Sequence, residues 1–171
     1  MKSIGPILAM VGASAMLAAC GGGGSEQAPA ANETAAAPAE PAATNAAAPA
    51  AAPAVDNTDT VDGTKLADLT GDAAKGATVF IQCKACHVLD PGVNRIGPSL
   101  AGIVGRAAGT VEGFQYSDAN KNSGITWTKE KLFQYLENPQ RVVPGTKMAF
   151  AGLPKAQDRA DLIAYLETGG K

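Results

Sequence analysis

The side chains best suited to hold a metal or a covalently attached group are few in this 171-residue chain: three cysteines, one histidine and four methionines. Two of the cysteines and the histidine stand together as Cys83-Lys84-Ala85-Cys86-His87. The spacing is mechanical, because cysteines three apart on a turn reach neighbouring substituents of one flat group and the residue just after them is brought beneath it. In an exported protein this string reads as a c-type haem attachment site, in which the thiols add across the haem vinyls and the imidazole supplies an axial nitrogen. Zinc would need four ligands, typically Cys or His, and beyond Cys83, Cys86 and His87 the same domain has none. A thioredoxin-like dithiol wants a βαβ context that is missing, and a disulfide across two intervening residues closes too small a loop to stabilise much.

The same counting constrains the other face of the haem. His87 is the only histidine, so bis-histidine ligation within one chain is excluded. Met1, Met10 and Met16 lie in the N-terminal apolar segment, which leaves Met148 as the one remaining thioether. Its setting, Val143-Pro144-Gly145-Thr146-Lys147-Met148, is a Pro-Gly turn able to present a side chain from a rigid loop. A haem held by His87 and Met148 has no open position for a substrate, so electron transfer is expected rather than catalysis. The alternative is a haem peroxidase or a ligand-sensing haem protein in which Met148 is displaced. It wants an acid–base group beside the iron, and no second histidine exists to serve.

Positioning these residues requires a packed domain, and composition locates it. Of all residues 46% are nominally hydrophobic but 5% aromatic, so alanine inflates the apolar count. All eight aromatic residues follow residue 79, which puts one small domain in the C-terminal part. Ala73, Gly76, Ala77 and Phe80 share a face of a short helix that Asp72 can start and that stops near Cys83. A Gly/Pro-rich stretch from Pro91 to Gly113 reads as ordered loop. Thr128 caps a helix over residues 129–137, which Pro139 keeps from continuing, and a last helix over 155–167 stops at Gly169-Gly170. No period-2 strand pattern appears, so the fold class is all-α, with few short helices and many loops.

The N-terminal part is a different object. Residues 1–19 form a signal peptide, with Lys2 followed by an apolar run of about 14 residues, short of the roughly 20 that a spanning helix needs. Leu17-Ala18-Ala19-Cys20 resembles the lipobox of bacterial lipoproteins, which makes Cys20 a lipidation site and membrane anchor. Residues 20–69 read as a disordered, acidic, Ala/Pro-rich tether: from Glu26 to Val55, 21 of 30 residues are Ala or Pro. Asp56, Asp59, Asp62 and Asp68 at its far end are expected to be solvated. The net charge of −2 divides into +1 from Lys2, −6 for residues 21–69 and +3 for 70–171, which argues against nucleic acid as a partner.

Several independent motifs over residues 71–169 resemble class I cytochrome c, closest to the mitochondrial cytochrome c and bacterial cytochrome c2 branch. They include Cys83 to His87, Gly97-Pro98-Ser99-Leu100, Asp118-Ala119-Asn120-Lys121-Asn122, Gly124-Ile125-Thr126-Trp127, Tyr135-Leu136-Glu137-Asn138-Pro139 and Pro144-Gly145-Thr146-Lys147-Met148. The resemblance implies a cytochrome c fold over 70–171, wrapped as a monomer around one covalent haem c. It implies that the Pro98 carbonyl accepts a hydrogen bond from His87, that Arg106, Tyr116 and Trp127 surround a haem propionate, and that Asn120, Tyr135 and Thr146 form the polar network behind the methionine. Gly76, Phe80, Leu162 and Tyr165 match the contact between the first and last helices.

The implied partners are a quinol–cytochrome c oxidoreductase of the bc1 type as donor and a terminal oxidase, or a photosynthetic reaction centre, as acceptor. The implied place is the bacterial cell membrane, lipid-anchored, with the domain in the periplasm. Where mitochondrial members ring the haem edge with lysines, this chain has Gln82 and Gln140, leaving Lys84, Lys147, Lys155 and Arg141 as a thin basic rim. The tether is expected to replace part of that charge steering by raising the local concentration of partner.

Overall fold

The computed structural model describes residues 51–171. The signal peptide, Cys20 and the tether as far as residue 50 lie outside the described residues. Helix α1 (Ala73–Val79) starts because the Asp72 carboxylate accepts hydrogen bonds from the Ala74 and Lys75 amides, and it tightens into a 3-10 turn over Phe80–Gln82 that delivers Cys83. Residues 88–116 are loop, joined to the following chain by an isolated bridge between Ala107 and Thr126. A single turn, α2 (Asp118–Lys121), follows, capped by Ser117. Helix α3 (Lys129–Glu137) is capped by Thr128, as expected.

Pro139 does more than stop α3. It opens α4 (Pro139–Val142), where its fixed φ suits the first helical position and its missing N–H would have no partner anyway, and Asn138 caps that turn by accepting from the Arg141 amide. Helix α5 (Ala156–Glu167) ends at Thr168 and two glycines of positive φ. No β-strand occurs among the described residues, and the class is all-α.

Helices α1 and α5 cross at Gly76. A Cβ there would run into the Asp161 carbonyl and stand 2.7 Å from the Tyr165 Cβ, so only glycine permits the approach. One turn on, Phe80 and Tyr165 place their rings 5.4 Å apart. Leu132, Phe133 and Leu136 from α3 and Leu162, Ile163 and Leu166 from α5 complete the core.

Residues 54–69 depart from the expected tether: they form a strap laid along α3 and α5. The Lys131 ammonium donates to the Ala54 and Asn57 carbonyls. Gln134 Nε2 donates to Asn57 Oδ1 at 2.8 Å and to the Asp59 carbonyl at 2.9 Å. The Glu137 carboxylate accepts from the Val61 and Asp62 amides at 2.7 and 3.1 Å. Asp62, expected in solvent, takes a 2.6 Å hydrogen bond from Arg159, whose side chain is 0% exposed. A 3-10 turn over Leu66–Asp68 follows, with Leu66 and Leu69 packed against the core. The physical reason is that these partners lie 74 to 97 residues away, beyond the reach of local composition. Contacts with the packed domain therefore begin near residue 54, not 70, although Asp56, Asp59, Asp62 and Asp68 all remain exposed residues.

Candidate haem-binding site

The helices and the loops between them line a cavity of about 310 Å³, mainly with apolar side chains. The 3-10 turn after α1 and the turn that follows it (His87 N to Cys83 O, 2.8 Å) bring Cys83, Cys86 and His87 to one wall. Both thiols are free. Burial pushes the Cys83 thiol up to about 11, with the neighbouring Cys86 adding to the effect.

His87 Nδ1 lies 2.8 Å from the Pro98 carbonyl oxygen. Because a carbonyl only accepts, Nδ1 carries the proton and Nε2 keeps its lone pair for a metal. Gly97 lies flat against the ring: a Cβ there would stand 2.6 Å from Nδ1 and 2.8 Å from Nε2. Burial lowers the imidazole pKa and the Pro98 bond partly opposes it, so the neutral, ligating form is favoured.

A second wall is polar. The Arg106 guanidinium donates to the Ala101 and Ser99 carbonyls at 2.8 and 2.9 Å. Burial lowers its pKa against the pull of Tyr116, whose own pKa burial raises. Asn120 is nearly buried, and its Oδ1 has no partner among the described residues. Trp127 packs on Tyr135 with ring centroids 4.7 Å apart. Behind Met148, Tyr135 Oη lies 3.5 Å from Thr146 Oγ1 and 3.8 Å from Met148 Sδ, and the Met148 amide donates to Thr146 Oγ1.

The cavity suits an anionic, mostly apolar macrocycle. Its lining includes two cations, Arg106 and Lys147, and no carboxylate. Two free thiols and an imidazole with an available Nε2 face the same space. Among the described residues no three His, Cys, Asp or Glu side chains cluster to hold a bare metal ion.

A sequence profile of cytochrome c matches residues 73–170. The chain belongs to the cytochrome c family. It is similar to cytochrome c 2.1 of Caenorhabditis elegans, 58% identical over 98 residues that cover 57% of this chain and 88% of the relative. Cytochrome c2 of Blastochloris viridis is 56% identical over 97 residues, covering 56% of this chain and 76% of the relative. Among solved structures, cytochrome cH from Methylobacterium extorquens aligns with a TM-score of 0.55 at 47% identity, over 57% of this chain and 99% of that one. As a class I c-type cytochrome, the protein is a haem electron carrier with one covalently bound haem c, and it is not an enzyme.

All eleven described site residues read from the sequence line this one cavity: Cys83, Cys86, His87, Pro98, Arg106, Tyr116, Asn120, Trp127, Tyr135, Thr146 and Met148. Of the network expected behind Met148, Tyr135 and Thr146 touch it, whereas Asn120 lines the cavity without a bond to either. Sequence reasoning did not assign Leu132 and Leu136 of α3 or Leu162 and Leu166 of α5 to the site, although their helical spacing marks a common face. It also missed Gln140, whose Nε2 donates to the Thr146 and Met148 carbonyls at 3.3 and 3.5 Å. Arg141 leaves the expected basic rim: it donates to the Asp59 carbonyl and pairs with Glu137.

Proposed function

We propose that this cytochrome c is a membrane-tethered carrier in which Cys83 and Cys86 would attach the haem and His87 and Met148 would ligate its iron. The observation that carries the reading is the convergence of those four side chains on one cavity that holds cations and no carboxylate. When bound, haem c supplies a one-electron couple. The Pro98 carbonyl holds the His87 ring and makes Nε2 the more basic nitrogen. Tyr135 reaches the Met148 Sδ, while Thr146 holds the Met148 backbone amide and contacts the Tyr135 hydroxyl. Arg106, with Tyr116 and Trp127, offers charge and hydrogen bonds to buried propionates, which would be costly unpaired. Leu132, Leu136, Leu162 and Leu166 exclude water.

Tethering is supported by Leu17-Ala18-Ala19-Cys20 and by the Ala/Pro-rich stretch after it. On this reading Cys20 carries lipid and the domain works in the periplasm at the bacterial cell membrane. It takes electrons from a quinol–cytochrome c oxidoreductase and passes them to a terminal oxidase or a photosynthetic reaction centre. The relatives named cytochrome c and cytochrome c2 support redox partners of that kind.

Mass spectrometry of the mature protein tests both ends at once: haem at Cys83 and Cys86, and acyl chains at Cys20. A near-red thioether–iron charge-transfer band is expected in the oxidised protein and is lost in Met148→Ala; a native protein without it rules out Met148 as the ligand. For the tether, turnover with a membrane oxidase is compared between the anchored protein and a soluble form beginning at Ala51. Equal rates at equal bulk concentration would remove any role for tethering in delivery.

A further inference from the structure

We propose that the strap is a clasp on the loop carrying Met148, which makes Asp62, Arg141 and Arg159 positioning residues for the axial thioether. The inference rests on the reading of Met148 as the iron ligand.

The loop runs from Val143 to Leu153 between α4 and α5, and both of its roots are tied to the strap. At the first root, Arg141 of α4 donates to the Asp59 carbonyl at 2.9 Å and lies 3.5 Å from Glu137. At the second, Arg159 Nη1 donates to the Leu153 and Pro154 carbonyls at 2.9 and 3.3 Å. Its Nη2 donates to Asp62 at 2.6 Å and lies 3.7 Å from Glu137. This guanidinium is fully buried, 4.4 Å from the centre of the Phe133 ring. One cation thus joins the strap, α3 and the exit of the loop.

The loop's own ties are the turn bond from the Thr146 amide to the Val143 carbonyl at 3.0 Å, the 3.3 Å bond from the Met148 amide to Thr146, the 3.1 Å bond from the Lys147 ammonium to the Gln115 carbonyl, the 2.7 Å bond from the Leu153 amide to the Leu136 carbonyl, and the long contacts of Gln140 and Tyr135. Charge-assisted hydrogen bonds away from water are stronger than neutral ones at such lengths. Sδ itself has only the 3.8 Å contact of Tyr135, so its position depends on the roots as well as on the Lys147 tie, and the root contacts need Asp59 and Asp62 in place. A strap that only stabilised the domain would change global unfolding without changing how often Met148 leaves its seat.

The test uses full-length oxidised holoprotein and exogenous imidazole, which competes with Met148 for the iron. Apparent affinity rises with the fraction of molecules in which the thioether is displaced. In Asp62→Asn, imidazole is expected to bind about tenfold more tightly, the scale set by losing a charge-assisted bond to a buried cation, and in Arg141→Gln about threefold. Amide exchange over residues 146–153 accelerates to a similar extent, while that of α1 does not. Asp68→Asn, outside the clasp, leaves both unchanged. If Asp62→Asn and Arg141→Gln keep the parental imidazole affinity and loop exchange while their urea midpoints fall, the strap is a general stabiliser and the clasp is wrong. If the parent itself has no near-red band, the ligand reading fails first and the clasp falls with it.

Discussion

Helix α3 has two buried sides on nine residues, and they are built on opposite rules. Toward the cavity it turns Leu132, Tyr135 and Leu136. Toward the strap it turns Lys131 and Gln134, 2% and 0% exposed, with Glu137 a turn further on. Apolar burial is non-directional and needs only a partner of suitable shape, so the cavity side accepts a flat apolar group. Polar burial needs a partner for every donor and acceptor, and the strap answers Lys131, Gln134 and Glu137 in turn. The first side is made to receive a cofactor, the second to be closed by the chain itself.

Four measurements sharpen or break that contrast. The largest effect is expected on the strap side: Arg159→Met removes the shared cation and leaves Asp62 and Glu137 without it, lowering the unfolding free energy in urea by about 4 kcal/mol. A loss below 1 kcal/mol would mean the carboxylates relax into water and the network is not tightly closed. On the cavity side, Leu132→Ala in the holoprotein should cost about 3 kcal/mol by the same measurement, as large-to-small core changes do. A much smaller loss would mean that the cavity wall collapses onto the haem.

The third separates the two sides by pH. Burial alone would raise the Asp62 carboxyl, but hydrogen bonds from Arg159, Thr64 and Thr60 outweigh it and hold the group at about 2, below its ordinary 3.8. A depressed carboxylate contributes stability above its unfolded pKa and loses it as pH falls through the folded value. The parent should therefore exceed Asp62→Asn by about 1 kcal/mol above pH 4, a figure reduced for solvent screening of this partly exposed group, with the gap closing toward pH 2. A gap that persists at pH 2 would assign it to packing instead. The smallest effect is expected at Lys129, whose 3.3 Å pair with Glu167 is exposed on both partners: Lys129→Ala should change the urea midpoint by less than the equivalent of about 0.5 kcal/mol.

The two sides also differ in how far the sequence discloses them. The cavity side was readable because its signals are local: thiols and imidazole within five residues, a cap before each of α1 and α3, and apolar residues at helical spacing. Helices α2 and α4 escaped because a single turn carries no period, although Ser117 and Asn138 were available as caps. Pro139 was read as a stop because a proline reads the same at the end of one helix and the start of the next. The strap side was misread for a different reason. Its residues look like solvated acids and small polar groups until Arg159 and Lys131, far along the chain, are folded against them.

The strap moves the point from which the domain can be pulled. Among the described residues, the first hold on the domain from the N-terminal side is at Ala54 and Asn57, where Lys131 donates to the backbone, and not at the start of α1. The mooring lies behind α3, on the side turned away from the cavity. Under the tethering proposed above, the pull would reach the domain at that back face and leave the cavity side unencumbered.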